Sequence, residues 1–358
     1  MGNSARVGAQ IAVNEINAAG GFLNQPIELV IRDDKADPDT GLKAAEELVL
    51  REKVIATLGF CNTGVAVKAL DVFQKNQSPL FVTCATGTPI TGKYPPAQSY
   101  IFRNSARDAL QTQFVVDDIV KRGYKRLALL VDTTGYGDAG LKDLEAAISK
   151  AGLAAPTVVR FKVGVKSLSD ELQQLRQSGA DVLVSWTVGP EQGVIAAGRA
   201  AMGWKVPFYG SWTLSLASAY LGSSAAALEG VYAVQTVLPN TYLERNNSFL
   251  FAYTKLSNER PMGSMMSAAQ TYDAIQLLLR AMFESKGDLS SNGLKRALEN
   301  LPRAYYGVVT TYDKPFSASD HDAITSNMLW LGTWHGGDRA FAYKEDEKRS
   351  TIIRRKQQ

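Results

Sequence analysis

The sequence predicts an α/β protein of two doubly wound lobes, each a parallel sheet covered by helices on both faces. Three observations predict it. Short continuous apolar runs, such as residues 127–131, alternate with amphipathic helical stretches from residue 4 to residue 237. Strands apolar on both faces belong to parallel sheets sandwiched between helices. The alternation comes as two series, one up to residue 121 and a second from residue 126. A length of 358 residues, 45% hydrophobic and 21% charged, suits two globular domains with a full core in each.

In the first series, Ala9, Ala12, Val13 and Ile16 fall on one face of a helix over residues 7–18, which Gly20-Gly21 ends. Residues 27–32 read as a strand. Asp39 or Thr40 caps the next helix, whose apolar face is Ala44, Ala45 and Leu48. A strand over 54–58, a helix over 64–74, a strand over 79–83 and a helix over 108–121 follow. The second series places strands at 126–131, 157–161, 181–185 and 206–209. The helices between them cover 141–151, a segment marked by Leu168, Leu172 and Leu175, and 191–202. Beyond residue 237 the pattern changes to helices over 242–256, 267–284 and 292–300 with no strand between them. A hairpin follows, built from 327–333 and 339–343 around His335-Gly336-Gly337-Asp338.

Composition narrows the function. No apolar run approaches the roughly 20 residues needed to span a bilayer, so a soluble chain is expected. The net charge is +4, and residues 344–358 carry six basic and three acidic side chains, leaving the body near neutral. A nucleic-acid protein shows a basic face on its folded body; here the basic tail reads as a solvated terminus. Two cysteines, Cys61 and Cys84, make neither a disulfide framework nor a zinc pattern and read as free, small apolar residues. Two histidines, His321 and His335, leave little for a catalytic centre, so neither metal nor cofactor is expected. Met1-Gly2-Asn3-Ser4 lacks the basic and apolar regions of a signal peptide.

Ligands of doubly wound sheets bind outside the carboxyl ends of the strands. In lobe 1 the loops there are Gly59-Phe60-Cys61-Asn62-Thr63-Gly64 and Thr83-Cys84-Ala85-Thr86-Gly87-Thr88. Both lead into helices, whose N-terminal N–H groups and dipole favour an anion, and Thr63, Thr86 and Thr88 add hydroxyls. The competing reading makes Asn62, Thr63 and Thr86 helix caps. In lobe 2 the loops over 133–138, 185–189 and 210–214 carry Tyr136, Trp186 and Trp212, an apolar wall if they converge and core packing if they do not. Gly135-Tyr136-Gly137-Asp138-Ala139-Gly140 fits G-x-G-x-x-G, but Asp132-Thr133-Thr134 separate it from the strand and no acid ends the next strand, which disfavours a dinucleotide. No Walker A, H-E-x-x-H or G-x-S-x-G sequence is present.

Several segments together resemble the leucine/isoleucine/valine-type (type I) periplasmic binding proteins. They are Val7-Gly8-Ala9-Gln10-Ile11-Ala12-Val13-Asn14-Glu15-Ile16-Asn17-Ala18-Ala19-Gly20-Gly21, Arg32-Asp33-Asp34 with Asp37-Pro38, Tyr136-Gly137 and Tyr272-Asp273-Ala274. The resemblance runs from about residue 2 to about residue 334. It implies two Rossmann-like lobes joined by a three-crossover hinge, with crossovers near Asn104, Val237 and Ser317. Lobe 1 is then 1–104 with 238–317, lobe 2 is 105–237 with 318–343, and 344–358 is the basic tail. It also implies that the first strand of lobe 1 is missing, with roughly 15 to 20 residues absent by ordinary strand and loop lengths.

The function so implied is a non-enzymatic, monomeric periplasmic receptor of an ABC importer. It partners a membrane permease, binds no nucleic acid, and closes on a small carboxylate in the cleft between lobes. The implied ligand-binding residues are Asn62, Thr63, Cys84, Ala85 and Thr86 in lobe 1 and Tyr136, Trp186, Thr187 and Trp212 in lobe 2. Amino-acid-binding members place an acid for the ammonium where Trp212 stands, and the nearest substitutes are Asp132 and Asp138. An aromatic or keto acid therefore competes with a branched-chain amino acid as the ligand. An amide or amino-acid sensor signalling to a regulatory partner is the alternative on the same fold.

Overall fold

Glycines set the first helix and its neighbour. In the computed structural model, which describes residues 1–240 and 242–357, α1 (Gly2–Ala18) ends before Gly20 and Gly21, both at positive φ. A side chain on Gly21 would place its Cβ 2.0 Å from the Gln25 carbonyl oxygen. Asp37, not Asp39 or Thr40, caps α2 (Pro38–Glu46) by accepting from the Thr40 N–H, with Pro38 in the first turn where its missing N–H costs nothing.

Further along lie β1 (Thr57–Gly59), α3 (Thr63–Lys75), β2 (Leu80–Val82), the single turn α4 (Pro89–Gly92) and β3 (Ile101–Arg103). β1, β2 and β3 form a parallel three-stranded sheet in that order. β3 was not foreseen, because three residues are too few to show a period. Residues 27–32, expected as a strand, join no ladder among the described residues. Ile27 and Leu29 still pack beside Ala12, Val13, Ile16 and Leu58, so the alternation in the sequence reports burial without pairing. A strand is defined by its partner, and no neighbouring strand is hydrogen-bonded to this segment.

The second series forms α5 (Asp108–Lys121), β4 (Leu127–Asp132), α6 (Gly135–Lys150), β5 (Thr157–Phe161), α7 (Ser169–Gln177), β6 (Val182–Trp186), α8 (Gly189–Ala201), β7 (Phe208–Gly210), the short α9 (Ala217–Leu221) and α10 (Ala225–Leu228), and β8 (Tyr232–Gln235). Three helices follow, α11 (Glu244–Leu256), α12 (Met265–Glu284) and α13 (Ser291–Glu299), then the two-residue strands β9 (Tyr305–Tyr306) and β10 (Thr311–Tyr312). The chain closes with the hairpin β11 (Trp330–His335) and β12 (Asp338–Phe341) and the short helix α14 (Lys344–Arg349).

The described chain divides into two compact units. The first comprises Met1–Ala106, Asn240–Met328 and the residues from Ile353 on; the second comprises Arg107–Pro239 and Leu329–Ile352. In the first unit α1 lies along α12, so closely that a Cβ on Gly8 would fall 2.1 Å from the Ala268 carbonyl oxygen. Asp273, buried in α12, accepts from the Val308 and Val309 N–H groups and from the Tyr305 and Tyr312 hydroxyls, which anchors the β9–β10 hairpin. In the second unit seven strands form one sheet in the order β12-β11-β8-β7-β6-β4-β5, parallel except for the antiparallel β11 and β12. Its core gathers Leu130, Leu172, Ile195, Phe208 and Trp334.

The tail departs from the expected solvated terminus. Lys356 donates to the Pro315 and Asp322 carbonyls at 2.8 and 2.6 Å and pairs with Asp320 at 2.7 Å, its side chain only 9% exposed. Arg354 donates to the Asn327 carbonyl. Backbone acceptors and one carboxylate in the first unit hold these cations, which is why a local run of charge does not stay in water.

Candidate functional site

The first unit's two loops follow β1 and β2. Asn62 is the N-cap of α3: its Oδ1 accepts from Gly64 N at 2.9 Å and Val65 N at 3.4 Å. The capping role thus engages two of the N–H groups that the sequence offered to an anion. Thr63 is buried, and its Oγ1 accepts from Gly87 N at 3.1 Å, tying one loop to the other. Gly87 must be glycine, since a Cβ there would stand 2.2 Å from Thr63 Cγ2.

Cys61 and Cys84 are joined in a disulfide, which corrects their reading as free small residues. With only two cysteines in the chain, a local pattern could not show that the folded loops bring them together; their Cα atoms are 4.6 Å apart. The bond staples the same two loops. Ala85 N donates to the Phe60 carbonyl at 2.8 Å, a third link between them. Thr86 is buried beside Ala85. The structure therefore brings Asn62, Thr63, Cys84, Ala85 and Thr86 together on one stapled pair of loops.

Beneath that pair lies Arg103, the last residue of β3, which the sequence reading passed over. It is fully buried and donates through Nη1 to the Thr86 and Gly87 carbonyls, through Nη2 to Thr91 Oγ1 and through Nε to Asp322 Oδ1. Ser105 Oγ donates to the Ala85 carbonyl at 2.6 Å. The sequence signal was there: a cation ending the apolar run Tyr100-Ile101-Phe102 is a buried charge in need of partners.

In the second unit α6 begins at Gly135, so the G-x-G-x-x-G residues lie inside the helix and not in a loop before it. Gly137 rests on the Asp132 carbonyl, which a Cβ would approach to 2.0 Å, and Gly140 rests on the indole of Trp186. The spacing serves packing, so no cradle for a pyrophosphate exists there. Trp186 is the last residue of β6 and is fully buried, with its ring centroid 6.4 Å from that of Tyr136. Tyr136 and Trp186 are thus brought together, with Trp186 packed as core against α6. Trp212 opens a separate 3-10 turn, Trp212–Ser215, and its N–H donates to Gln111 Oε1 at 3.4 Å.

A buried polar network positions that turn. Ser185 Oγ donates to Gln192 Oε1 at 2.6 Å, Gln192 Nε2 donates to Thr213 Oγ1 at 3.0 Å, and Thr213 Oγ1 donates to the Thr187 carbonyl at 2.6 Å. Trp334 Nε1 donates to the Leu214 carbonyl at 2.9 Å. Thr187 is buried, yet among the described residues its Oγ1 meets no hydrogen-bond partner, and the same holds for Trp186 Nε1. A buried hydroxyl without a partner costs free energy.

The second unit's acids are mostly committed. Asp132 accepts from Thr134 N and Thr134 Oγ1 with one oxygen and from Val188 N with the other. Asp138 pairs with Arg160 at 2.5 Å. Both of the substitutes foreseen for an ammonium partner are thus engaged by groups of the second unit. Glu191, at the start of α8 and missed in the sequence, accepts from Gly164 N with Oε1 and leaves the buried Oε2 without a partner among the described residues. Among the described residues, no helix is long and apolar enough to cross a membrane, and no group of three or more His, Cys, Asp or Glu is placed to hold a metal ion.

A family model described as periplasmic binding protein matches residues 1–338. The chain is 29% identical over 197 residues to a Leu/Ile/Val-binding protein homologue of Brucella melitensis, an alignment covering 55% of this chain and 52% of the relative. The chain spans about half the length of the first curated relatives it matches. Among solved structures it resembles the branched-chain amino acid transporter substrate-binding protein LivJ of Streptococcus pneumoniae, in complex with isoleucine. That likeness has a TM-score of 0.80 at 24% identity and covers 94% of this chain and 92% of the other. It also resembles a solute-binding protein of an ABC transporter from R. palustris, in complex with 4-hydroxybenzoate, with a TM-score of 0.80 at 18% identity over 95% and 90% of the two chains. At these identities the structural likeness speaks for the fold.

Proposed function

Because the chain belongs to the periplasmic binding protein family, we propose that it is the extracytoplasmic solute-binding receptor of an ABC importer, a non-enzyme that takes a small carboxylate, closes on it by hinge rotation and delivers it to a membrane permease. The family's fold supplies two units able to share a ligand, and differential contact with the closed state is what drives closure. The stapled loops of the first unit, with Thr63 and Thr86, are the proposed carboxylate side. Tyr136, Thr187 and Trp212 of the second unit are the proposed specificity side. No observation favours the amide-sensor alternative.

One observation carries the choice of ligand. Asp132 and Asp138 are both tied down within the second unit, and a buried ammonium without a carboxylate partner costs several kcal/mol. Unless Glu191 takes the ammonium, this favours an aromatic or keto acid over a branched-chain amino acid. Two of the similar structures bracket the choice, one holding isoleucine and the other 4-hydroxybenzoate. The test is a thermal-shift panel of leucine, isoleucine, valine, benzoate, 4-hydroxybenzoate and phenylpyruvate. A shift with the aromatic acids and none with the amino acids is expected. The reverse pattern, abolished by Glu191→Gln, would transfer the ammonium to Glu191 and overturn the aromatic-acid reading while leaving the receptor in place. No shift with any of the six would count against the carboxylate.

A further inference from the structure

We propose that the Cys61–Cys84 bond is a thiol-exchange site: an external dithiol attacks the Cys61 sulfur, Cys84 leaves as a thiolate received by Ser267 at the N-terminus of α12, and the two loops stapled by the bond come apart. The consequence for ligand rests on the reading of those loops as the carboxylate side; the chemistry of the bond does not.

The two sulfurs stand in different surroundings. Cys84 is 1% exposed, whereas Cys61 and its neighbours Phe60 and Asn62 are only partly buried. A thiolate reaching the bond from solvent therefore meets Cys61 first. Cys84 Sγ lies 3.2 Å from Ser267 Oγ, in the first turn of the 20-residue helix α12. A disulfide sulfur carries no proton, so the hydroxyl is the donor in that contact. Ser264 caps α12 by accepting from Ser267 N at 3.1 Å, and its Oγ lies 2.8 Å from Ser267 Oγ. Ser264 donating to Ser267 and Ser267 donating to Cys84 make one relay that ends on the sulfur. A helix N-terminus and a hydroxyl donor both favour a thiolate over a thiol. On the other side, Asn62 Oδ1 already takes the Gly64 and Val65 N–H groups of α3, so those donors are not offered to Cys61.

The attack forms a bond between the external sulfur and Cys61 Sγ, breaks the Cys61–Cys84 bond and leaves its electron pair on Cys84. The second thiol of the reagent then displaces Cys61. The dithiol ends oxidised to a cyclic disulfide, and both cysteines end reduced, with the protons of the dithiol passing to them. The sulfur whose thiol has the lower pKa leaves faster, which selects Cys84. Two hydrogen bonds then remain between the loops, Gly87 N to Thr63 Oγ1 and Ala85 N to the Phe60 carbonyl. Phe60 sits at φ +60°, in the left-handed region that a bulky side chain disfavours, so its loop has a conformation to relax into once the staple opens.

The test begins with the full chain, oxidised and folded, pulsed with glutathione, blocked with N-ethylmaleimide and read by peptide mass spectrometry. Glutathione on Cys61 with maleimide on Cys84 should exceed the opposite pattern about tenfold. An even distribution or the opposite excess overturns the assignment of attacked and leaving sulfurs, and no variant is needed to see it. Ser267→Ala should slow cleavage by dithiothreitol about threefold, because the leaving thiolate loses a donor. A merely loosened fold would speed cleavage, so an unchanged or raised rate overturns the role of Ser267. Amide exchange at Ala85 and Gly87 should rise about tenfold on reduction, with α6 as an internal control. Unchanged exchange at both overturns the parting of the loops. Calorimetry with benzoate, run on the oxidised and the reduced chain, reads the consequence for ligand. Binding about tenfold weaker on reduction is expected, and equal affinity overturns the switch. If the oxidised chain binds neither benzoate nor leucine, the carboxylate reading fails, while the adduct pattern and the loop exchange still decide the proposal.

Discussion

The indole of Trp186 lies against Gly140 so closely that a Cβ on the glycine would fall 1.9 Å from Cδ1 of the ring. The helix α6 reaches the sheet only because position 140 has no side chain. Gly140→Ala should therefore lower stability by about 1–3 kcal/mol, the usual cost of overpacking a core. Urea unfolding measures it, and Gly140→Ala with Trp186→Phe should recover part of the loss. No recovery would place the strain elsewhere than at this contact.

Asp273 gives a pH dependence. Burial pushes its carboxyl up to about 7, against the pull of the Val309 and Val308 N–H groups and the Tyr305 and Tyr312 hydroxyls. The folded state then binds this proton more tightly than the unfolded chain, whose carboxyl sits near 3.8. The stability so contributed is full below pH 3.8, declines as pH rises, and is gone above about pH 7. Asp273→Asn does not titrate. The wild type should therefore lose a few kcal/mol relative to that variant between pH 4 and about 7.5. A difference independent of pH would contradict the assignment.

The Cys61–Cys84 bond, closing a sequence separation of 23 residues, should contribute about 3 kcal/mol by restricting the unfolded chain. Cys61→Ser with Cys84→Ser, or reduction by a small dithiol, should lower the unfolding midpoint accordingly. Because the bond joins the two proposed carboxylate loops, ligand affinity should fall with it. Stability that drops while affinity holds would separate the staple from the site.

On the carboxylate loops, Thr86→Val should weaken binding of the preferred acid by about 1–3 kcal/mol, since it removes a hydroxyl beside a buried charge. Calorimetry of Thr86→Val and Thr63→Val provides the check, and wild-type affinity in both would rule these loops out. Trp212→Ala should weaken the same ligand through lost apolar contact at roughly 25 cal/mol per Å². If it does not, Trp212 belongs to the core in the way Trp186 does.

Periodicity along the chain determined much by itself. Apolar runs at 127–131 and 157–161 and the helix over 108–121 correspond to β4, β5 and α5 within a residue, because backbone preference and one-sided burial are properties of neighbouring residues. The strand-to-helix connections at or beside Thr63, Thr86, Tyr136 and Trp212 were legible for the same reason, although Thr63 and Tyr136 lie in the first turns of α3 and α6. Tertiary structure alone decided the rest. Residues 27–32 alternate as a strand does yet join no ladder among the described residues, since a ladder needs a second chain segment. Cys61 meets Cys84, Trp186 covers Gly140, and Arg103 gathers Thr86, Gly87, Thr91 and Asp322. Each of these partners is distant in sequence, and a buried charge, thiol or glycine takes its role from whatever the fold sets within a few ångströms of it.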